Sequence, residues 1–133
     1  MKRAFLSILT FIICTSLFIN VATAVNISPR WTYISNIEGS IDYSGTAGEY
    51  WADISCASNV DNIVGTASLY YKNSSGRWVW VTDWTEESED NTLLIEGSFN
   101  AVSGRKYKVI LDVTAYVDNS SESTTYTLEK MCP

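Results

Sequence analysis

The sequence predicts an all-β fold, a sandwich of seven or eight strands that follows an N-terminal signal peptide. Beyond residue 24, apolar and polar residues alternate with a period of two in short runs, and no stretch has an amphipathic helical period. Gly, Asn, Asp and Ser interrupt these runs about every ten residues, as turns do in sandwiches and barrels. Five Trp, eight Tyr and one Phe in this part of the chain also favour strands.

The first 24 residues have the pattern of a secretory signal peptide. Lys2 and Arg3 give a basic start, Ala4–Val21 is almost wholly apolar, and Ala22–Ala24 matches the small-residue pattern before a cleavage site. We therefore expect cleavage after Ala24, export from the cell, and one mature domain over residues 25–133. One alternative is an uncleaved membrane anchor, but about 18 apolar residues is at the short limit for spanning a bilayer. The other is a lipoprotein attached at Cys14, but such a site needs a small residue where Ile13 stands.

Four strands are predicted in the first half of this domain. Arg30–Ile34 places Trp and Tyr at alternate positions, and Ser40–Tyr43 ends at the Gly-containing turn Ser44–Gly48. In Tyr50–Cys56, apolar residues occupy every second position, with Trp, Asp and Ser between them. Ile63–Lys72 alternates in the same way after an Asn- and Asp-rich break. Each run is typical of a strand with one buried face.

The second half contains four more predicted strands. An Asn-Ser-Ser-Gly turn leads into Trp78–Trp84, and Thr85–Asn91 is predicted to be a polar, acidic loop. Leu93–Phe99 alternates again, and Lys106–Val117 is the longest run, with Tyr, Val, Leu, Val and Ala at every second position. Ser123–Lys130 is the last predicted strand. Strands of this number and spacing favour an immunoglobulin- or fibronectin-like β-sandwich.

One tyrosine supports this architecture. In such sandwiches, a tyrosine near the start of the sixth strand anchors a corner through its hydroxyl group. Tyr107, three residues after the turn-forming Gly104, occupies the corresponding position. An antibody-type domain would also have a cysteine where Val109 stands and a Trp in the strand after Cys56. We therefore predict the sandwich architecture, with Tyr107 as a structural anchor, rather than an antibody-type domain.

Cysteine usage predicts one disulfide bond. Cys14 leaves with the signal peptide, whereas Cys56 and Cys132 remain in a chain that is exported. A bond between them would close a loop of about 77 residues and stabilise the fold by about 4–5 kcal/mol in the chain-entropy description. The alternative is a pair of free or intermolecular thiols, because Cys132 lies one residue from the end of the chain.

Charge and composition argue against several classes of function. Seven of the nine basic residues and all fifteen acidic residues lie after residue 24, which gives that part a net charge of −8. This acidity argues against nucleic-acid partners and anionic membranes, and no membrane insertion is expected after signal cleavage. The chain contains no His, which removes Ser-His-Asp and Cys-His catalysis and most zinc sites. We predict no catalytic residue, no cofactor and no metal, and therefore a protein that is not an enzyme.

The densest acidic run lies at the end of one predicted strand and in the loop that follows it. It consists of Asp83, Glu86, Glu87, Glu89 and Asp90. Oxygen ligands on a flexible loop suit calcium, but the spacing differs from that of a calcium-binding loop and no Gly provides its sharp turn. We therefore expect a solvated connection whose charges keep a sheet edge from pairing with neighbours.

Three tryptophans form the candidate ligand surface. A period of two places Trp78, Trp80 and Trp84 on one face of their strand and two valines on the other. An exposed tryptophan face would be a stacking platform for sugars or a protein partner, whereas an inward one would be core. Both interpretations stay open. Trp51, together with Tyr70, would extend the platform if their strands are neighbours.

Several short motifs carry a family resemblance. In chain order they are Arg30-Trp31-Thr32, Ile34-Ser35, Cys56, Gly76-x-Trp78-x-x-Val81-x-x-Trp84, Gly104-x-x-Tyr107-Lys108-Val109 and Glu122-Ser123-Thr124-Thr125-Tyr126. This set resembles a family of short secreted proteins of unknown function from Gram-positive, largely anaerobic bacteria. The resemblance implies an exported, bacterial, single-domain protein, and it brings no catalytic residues to this chain.

The functional expectation is a secreted, non-enzymatic extracellular binding or surface-associated module. Its partner would be a cell-wall or environmental glycan or a protein, and the candidate ligand platform is Trp51, Trp78, Trp80 and Trp84. The alternative is an exported antimicrobial or toxin-like factor that acts on neighbouring cells.

Overall fold

A computed structural model of the chain describes residues 31–133. The predicted signal peptide, residues 1–24, lies outside the described residues. The predicted all-β fold is confirmed, since seven strands form two antiparallel sheets. The strands are β1 Ile34–Ser44, β2 Ala47–Cys56, β3 Asn62–Lys72, β4 Trp78–Ser88, β5 Thr92–Asn100, β6 Lys106–Val117 and β7 Ser120–Met131. Residues 31–133 contain no helical segment of the length and apolarity that crossing a membrane requires.

The two sheets pack face to face as a sandwich. One has the strand order β1-β2-β5 and the other β4-β3-β6-β7. In antibody constant domains the fourth strand joins the first sheet, whereas β4 here pairs with β3 in the second. At the two sides of the sandwich, β4 contacts β5 and β1 contacts β7. Each sheet therefore has one face toward the core and one face toward solvent.

Alternate positions of the central strands fill the core, as the period of two predicts. In β2, β3 and β6, buried residues alternate with half-buried or exposed ones along most of the strand. Tyr50 and Tyr107 are the largest of the fully buried side chains. The next largest fully buried side chains are Ile54, Ile63, Leu69, Ile95, Leu111, Val109, Val113 and Cys132.

The first strand differs from its prediction. β1 begins at Ile34 and contains all of the second predicted strand, so that residues 31–33 are not part of a strand. The side chain of Glu122 explains this, because its carboxylate accepts hydrogen bonds from the backbone N–H groups of Thr32, Tyr33 and Ile34. These three donors bond to a side chain rather than to a neighbouring strand. The described part of the chain therefore has seven strands.

The predicted acidic loop is partly a strand. β4 continues to Ser88, and Glu86 and Glu87 lie opposite Gly65 and Val64 of β3. The prediction of a loop from Thr85 was wrong because β3 is long enough to provide backbone partners regardless of side-chain polarity. Within residues 31–133, no group of three or more acidic or thiol side chains is arranged to hold a metal ion.

Tyr107 forms the contact of a tyrosine corner. Its side chain is buried, and its hydroxyl oxygen accepts a hydrogen bond from the backbone N–H of Val102 at 2.9 Å. The ring also packs against Phe99, with 5.1 Å between centroids. The turn between Val102 and Tyr107 uses Gly104 with a φ of 81°, a conformation that disfavours side chains. This contact fixes the connection between the two sheets.

The predicted disulfide between Cys56 and Cys132 is not present, because both thiols are free and buried. Cys56 is the last residue of β2, whereas the Cys132 thiol donates to the carbonyl of Gly45, in the turn that precedes β2, at 3.8 Å. The two thiols therefore lie at opposite ends of a strand about 30 Å long, and a disulfide needs Cα atoms within about 7 Å. Burial, followed by the charge of Glu122, raises the pKa of the Cys56 thiol.

Candidate functional site

A bulge in β4 decides which tryptophans face solvent. Thr82 lies opposite Leu69 of β3, but the next residue of β3, Tyr70, lies opposite Trp80. Val81 is therefore an extra residue without a partner. One extra residue reverses the inward and outward alternation for the rest of the strand. Trp84 and Trp80 consequently belong to opposite faces of the sheet, and the prediction of one shared tryptophan face was wrong.

Trp84 lies on the inward face and belongs to the core. Its ring stacks on that of Tyr50, with 5.8 Å between centroids and 11° between planes. The indole also covers Gly97 of β5 so closely that a Cβ atom at that position would overlap the ring. Trp84 therefore links the edge of the second sheet to the edge of the first.

Trp80 lies on the outward face, where 56% of its surface is exposed. Its indole Nε1 donates a hydrogen bond to Oδ1 of Asp83 at 2.9 Å. Hydrogen bonds from Trp80 and then from Ser68 lower the pKa of Asp83. The carboxylate is therefore ionised in neutral solution and holds the exposed indole in one orientation.

Two lysines and two further aromatic rings lie beside Trp80. The ammonium group of Lys108 is 4.2 Å from the ring centroid of Trp78 and 5.5 Å from that of Tyr70. Lys72, opposite Trp78 in the sheet, has its ammonium group 5.8 Å from the same indole centroid. These are cation–π distances. We call the outward surface formed by Tyr70, Lys72, Trp78, Trp80 and Lys108 the Trp80 face.

Trp51 lies on the other side of the molecule. It belongs to β2 in the first sheet, whereas Tyr70 belongs to β3 in the second, so the two do not form a continuous platform. Trp51 is 37% exposed and lies between Ser40 and Glu96 of the neighbouring strands. A shallow depression of about 370 Å³ adjoins it, with Glu49 and Glu96 among its lining residues. The surroundings of Trp51 are therefore acidic, whereas those of Trp80 include two lysines.

The basic residues are concentrated at one end of the second sheet. The six that lie within residues 31–133 are Lys72, Arg77, Arg105, Lys106, Lys108 and Lys130. They belong to the β3–β4 hairpin, the start of β6 and the end of β7, which the sheet register places together. Lys106 pairs with Glu129 at 3.0 Å and Lys130 with Asp42 at 3.4 Å. Among the described residues, no salt bridge neutralises Lys72 or Lys108.

Sequence patterns did not reveal this combination of lysines and aromatic rings. Arg105, Lys106 and Lys108 form a short basic group, and the aromatic residue between them in the sequence, Tyr107, is buried in the core. The aromatic rings come from β3 and β4, which the sheet places beside β6. The tryptophan-rich segment was the available signal, but strand order was needed to bring Lys108 to it. No protein-family model matches the sequence, and no curated protein is significantly similar to it.

Proposed function

We propose that the protein is a secreted, non-enzymatic binding module and that the Trp80 face binds a glycan. The observation that carries the proposal is the indole of Trp80, which is 56% exposed and yet fixed by its hydrogen bond to Asp83. A large apolar ring exposed to water on a folded domain is typical of an interaction site. A side chain that is already ordered loses less conformational entropy when a ligand binds.

A sugar ring suits this surface chemically. One side of a pyranose presents C–H groups, which pack on the electron-rich face of an indole. Hydrogen-bonding groups lie near Trp80: the carboxylate of Asp83 accepts from its indole and from the hydroxyl of Ser68, and the ammonium group of Lys108 lies over the ring of Tyr70, the neighbour of Trp80 in the sheet. Such groups pair with sugar hydroxyls as donors or acceptors. A glycan would therefore meet both its apolar and its polar requirements on one face.

The outward face beyond Trp80 is rich in hydroxyl groups. Thr66 of β3 and Thr85 of β4 are 3.1 Å apart through their hydroxyl oxygens, and Thr114 and Ser123 are 2.9 Å apart in the same way. A protein–protein contact of ordinary size has a desolvated apolar centre, whereas here a polar sheet surrounds a small group of aromatic rings. This surrounding favours a hydroxyl-rich ligand over a protein.

Replacement of Trp80 by Ala tests the proposal. We expect the loss of stacking to weaken glycan binding by about thirtyfold, the equivalent of about 2 kcal/mol for a residue at the centre of a binding surface. The matched control is Trp51→Ala, which removes another exposed indole from the opposite sheet. Binding is measured by calorimetry against a panel of purified bacterial and plant polysaccharides, and melting curves establish that both variants are folded.

Two results would contradict the proposal. One is the absence of binding to every polysaccharide in the panel by the unmodified protein. The other is an equal loss of affinity in Trp51→Ala and Trp80→Ala, which would place the ligand elsewhere or indicate non-specific adhesion.

A further inference from the structure

We infer that the glycan bound by the Trp80 face is anionic, with its carboxylate or phosphate groups paired to Lys72 and Lys108. This inference rests on the proposed glycan-binding function and names the ligand class of the same site. It starts from the two ammonium groups, which lie over aromatic rings on the outward face and form no salt bridge among the described residues.

The sheet register places a cation beside the stacking ring. Trp80, Tyr70 and Lys108 lie in one row across β4, β3 and β6. Adjacent strands are about 4.8 Å apart, so that the Cα atoms of Trp80 and Lys108 are separated by about 10 Å. The Lys108 side chain extends over Tyr70 toward Trp78, which brings its ammonium group back toward the tryptophans. A sugar stacked on Trp80 would therefore have its neighbour in the chain next to a positive charge.

The acidic group of the site lies in a different direction. Asp83 follows Trp80 along β4, opposite Ser68, whereas Lys108 lies in the row of Trp80 and Lys72 in the row of Trp78, on the side of Trp80 away from Asp83. An anionic sugar would be repelled by Asp83 and attracted by the two lysines. This polarity gives the ligand one preferred direction across the Trp80 face.

The negative net charge of the protein does not prevent such binding. At physiological ionic strength, charges are screened over about 8 Å, so the nearest groups decide the local potential. Lys106 and Lys130 form salt bridges with Glu129 and Asp42, whereas Lys72 and Lys108 form none among the described residues. Glu129 lies opposite Lys108 on β7, but its carboxylate is engaged by Lys106. The ring faces beneath these two ammonium groups also restrict where they lie.

The test compares a pair of ligands that share a backbone and differ in charge, together with two further anionic probes. Oligogalacturonate supplies carboxylates, and its methyl ester is the neutral counterpart with the same backbone. Poly(glycerol phosphate) bearing glucosyl groups is the phosphate-containing probe, and a single-stranded oligonucleotide is an anionic polymer without a pyranose. Affinities of the full chain are measured by calorimetry at low and at physiological salt, because screening weakens charge pairing.

The protein variants remove positive charge at two places, two charges from the Trp80 face and one from a salt bridge elsewhere. In Lys72→Gln/Lys108→Gln, both ammonium groups of the Trp80 face are lost, and in the control Lys130→Gln the lost charge is the one paired with Asp42. We expect the unmodified protein to bind at least one anionic glycan about tenfold or more tightly than the neutral ester, as a charged hydrogen bond predicts. The double variant should lose this preference, whereas Lys130→Gln should keep it.

Each other outcome overturns part of the reasoning in a distinct way. Equal affinity for charged and neutral glycans, unchanged in the double variant, would overturn the anionic assignment and leave glycan binding intact. Preference for the oligonucleotide over every glycan would overturn the ligand class. Failure to bind any glycan, charged or neutral, would overturn the proposed function together with this inference.

Discussion

The contact between Trp84 and Gly97 predicts an unusual effect of a small substitution. Gly97 lies within β5 and does not have a positive φ, so alanine can adopt its backbone conformation. At an ordinary strand position, replacement of Gly by Ala stabilises a protein by about 0.4–1 kcal/mol. Here the new Cβ atom would overlap the indole of Trp84. We therefore expect Gly97→Ala to lower the free energy of unfolding.

The size of the effect follows from packing. Overpacking of a filled core costs about 1–3 kcal/mol, and Trp84 cannot shift freely because it is stacked on Tyr50 at 5.8 Å. Replacement of Trp84 alone by Ala should lower the free energy of unfolding by about 3 kcal/mol. This is the lower end of the range for large aromatic residues, because the Trp84 side chain is only half-buried. For a domain of this size, each 1 kcal/mol corresponds to about 4–8 °C in Tm.

A double-mutant cycle isolates the contact. Gly97→Ala is made both in the unmodified protein and in Trp84→Ala, and the four free energies of unfolding are measured by urea denaturation. Once the indole is gone, the added methyl group has room, and Gly97→Ala should be neutral or slightly stabilising. If Gly97→Ala instead stabilises the unmodified protein, or costs the same in both backgrounds, the close packing of Trp84 on Gly97 is refuted.

Three further predictions concern other contacts. Tyr107→Phe should lower the free energy of unfolding by about 1–2 kcal/mol, because the backbone N–H of Val102 loses its acceptor; an unchanged urea midpoint would argue against the corner contact. Desolvation acts to raise the pKa of Glu122, but hydrogen bonds from three backbone N–H groups lower it below the ordinary value of 4.5. The ionised side chain therefore stabilises the fold above about pH 4.5, and this stabilisation is lost as the pH falls through the lowered pKa. The stability difference between the unmodified protein and Glu122→Gln should therefore shrink between pH 7 and pH 3, and a difference that is constant across this range would contradict the role of the carboxylate. Cys56 and Cys132 should react with iodoacetamide rapidly in urea without reductant and slowly in the native state, since both are buried; a native mass two hydrogens lower than the reduced mass would refute the free thiols.

The alternation of side chains made most of the fold predictable. β2, β3 and β6 were recognisable because their apolar residues recur at every second position and turn-forming residues flank them. The ends of strands were less predictable where contacts with a distant part of the chain determine them. β4 extends into an acidic segment because β3 lies beside it, and β1 starts at Ile34 because a distant glutamate binds the preceding backbone.

The candidate site was harder to predict because its geometry depends on pairing between strands. Nothing in Trp78–Trp84 marks Val81 as an extra residue, since the segment contains no Gly and its three tryptophans all stand at even positions. The bulge exists only in relation to β3. The cysteines show the same limit, because their distance in the sequence does not reveal that the chain path leaves them at opposite ends of the sandwich.

The bulge at Val81 divides β4 into two stretches that are free to evolve separately. Substitutions at Trp78 or Trp80 alter the solvent-facing surface and leave the core intact, whereas substitutions at Trp84 affect folding stability and leave that surface in place. Loss of the single extra residue would undo this separation and exchange the two sets of side chains. Relatives that differ in the length of this strand should therefore differ in specificity more than relatives that differ only by substitutions within it.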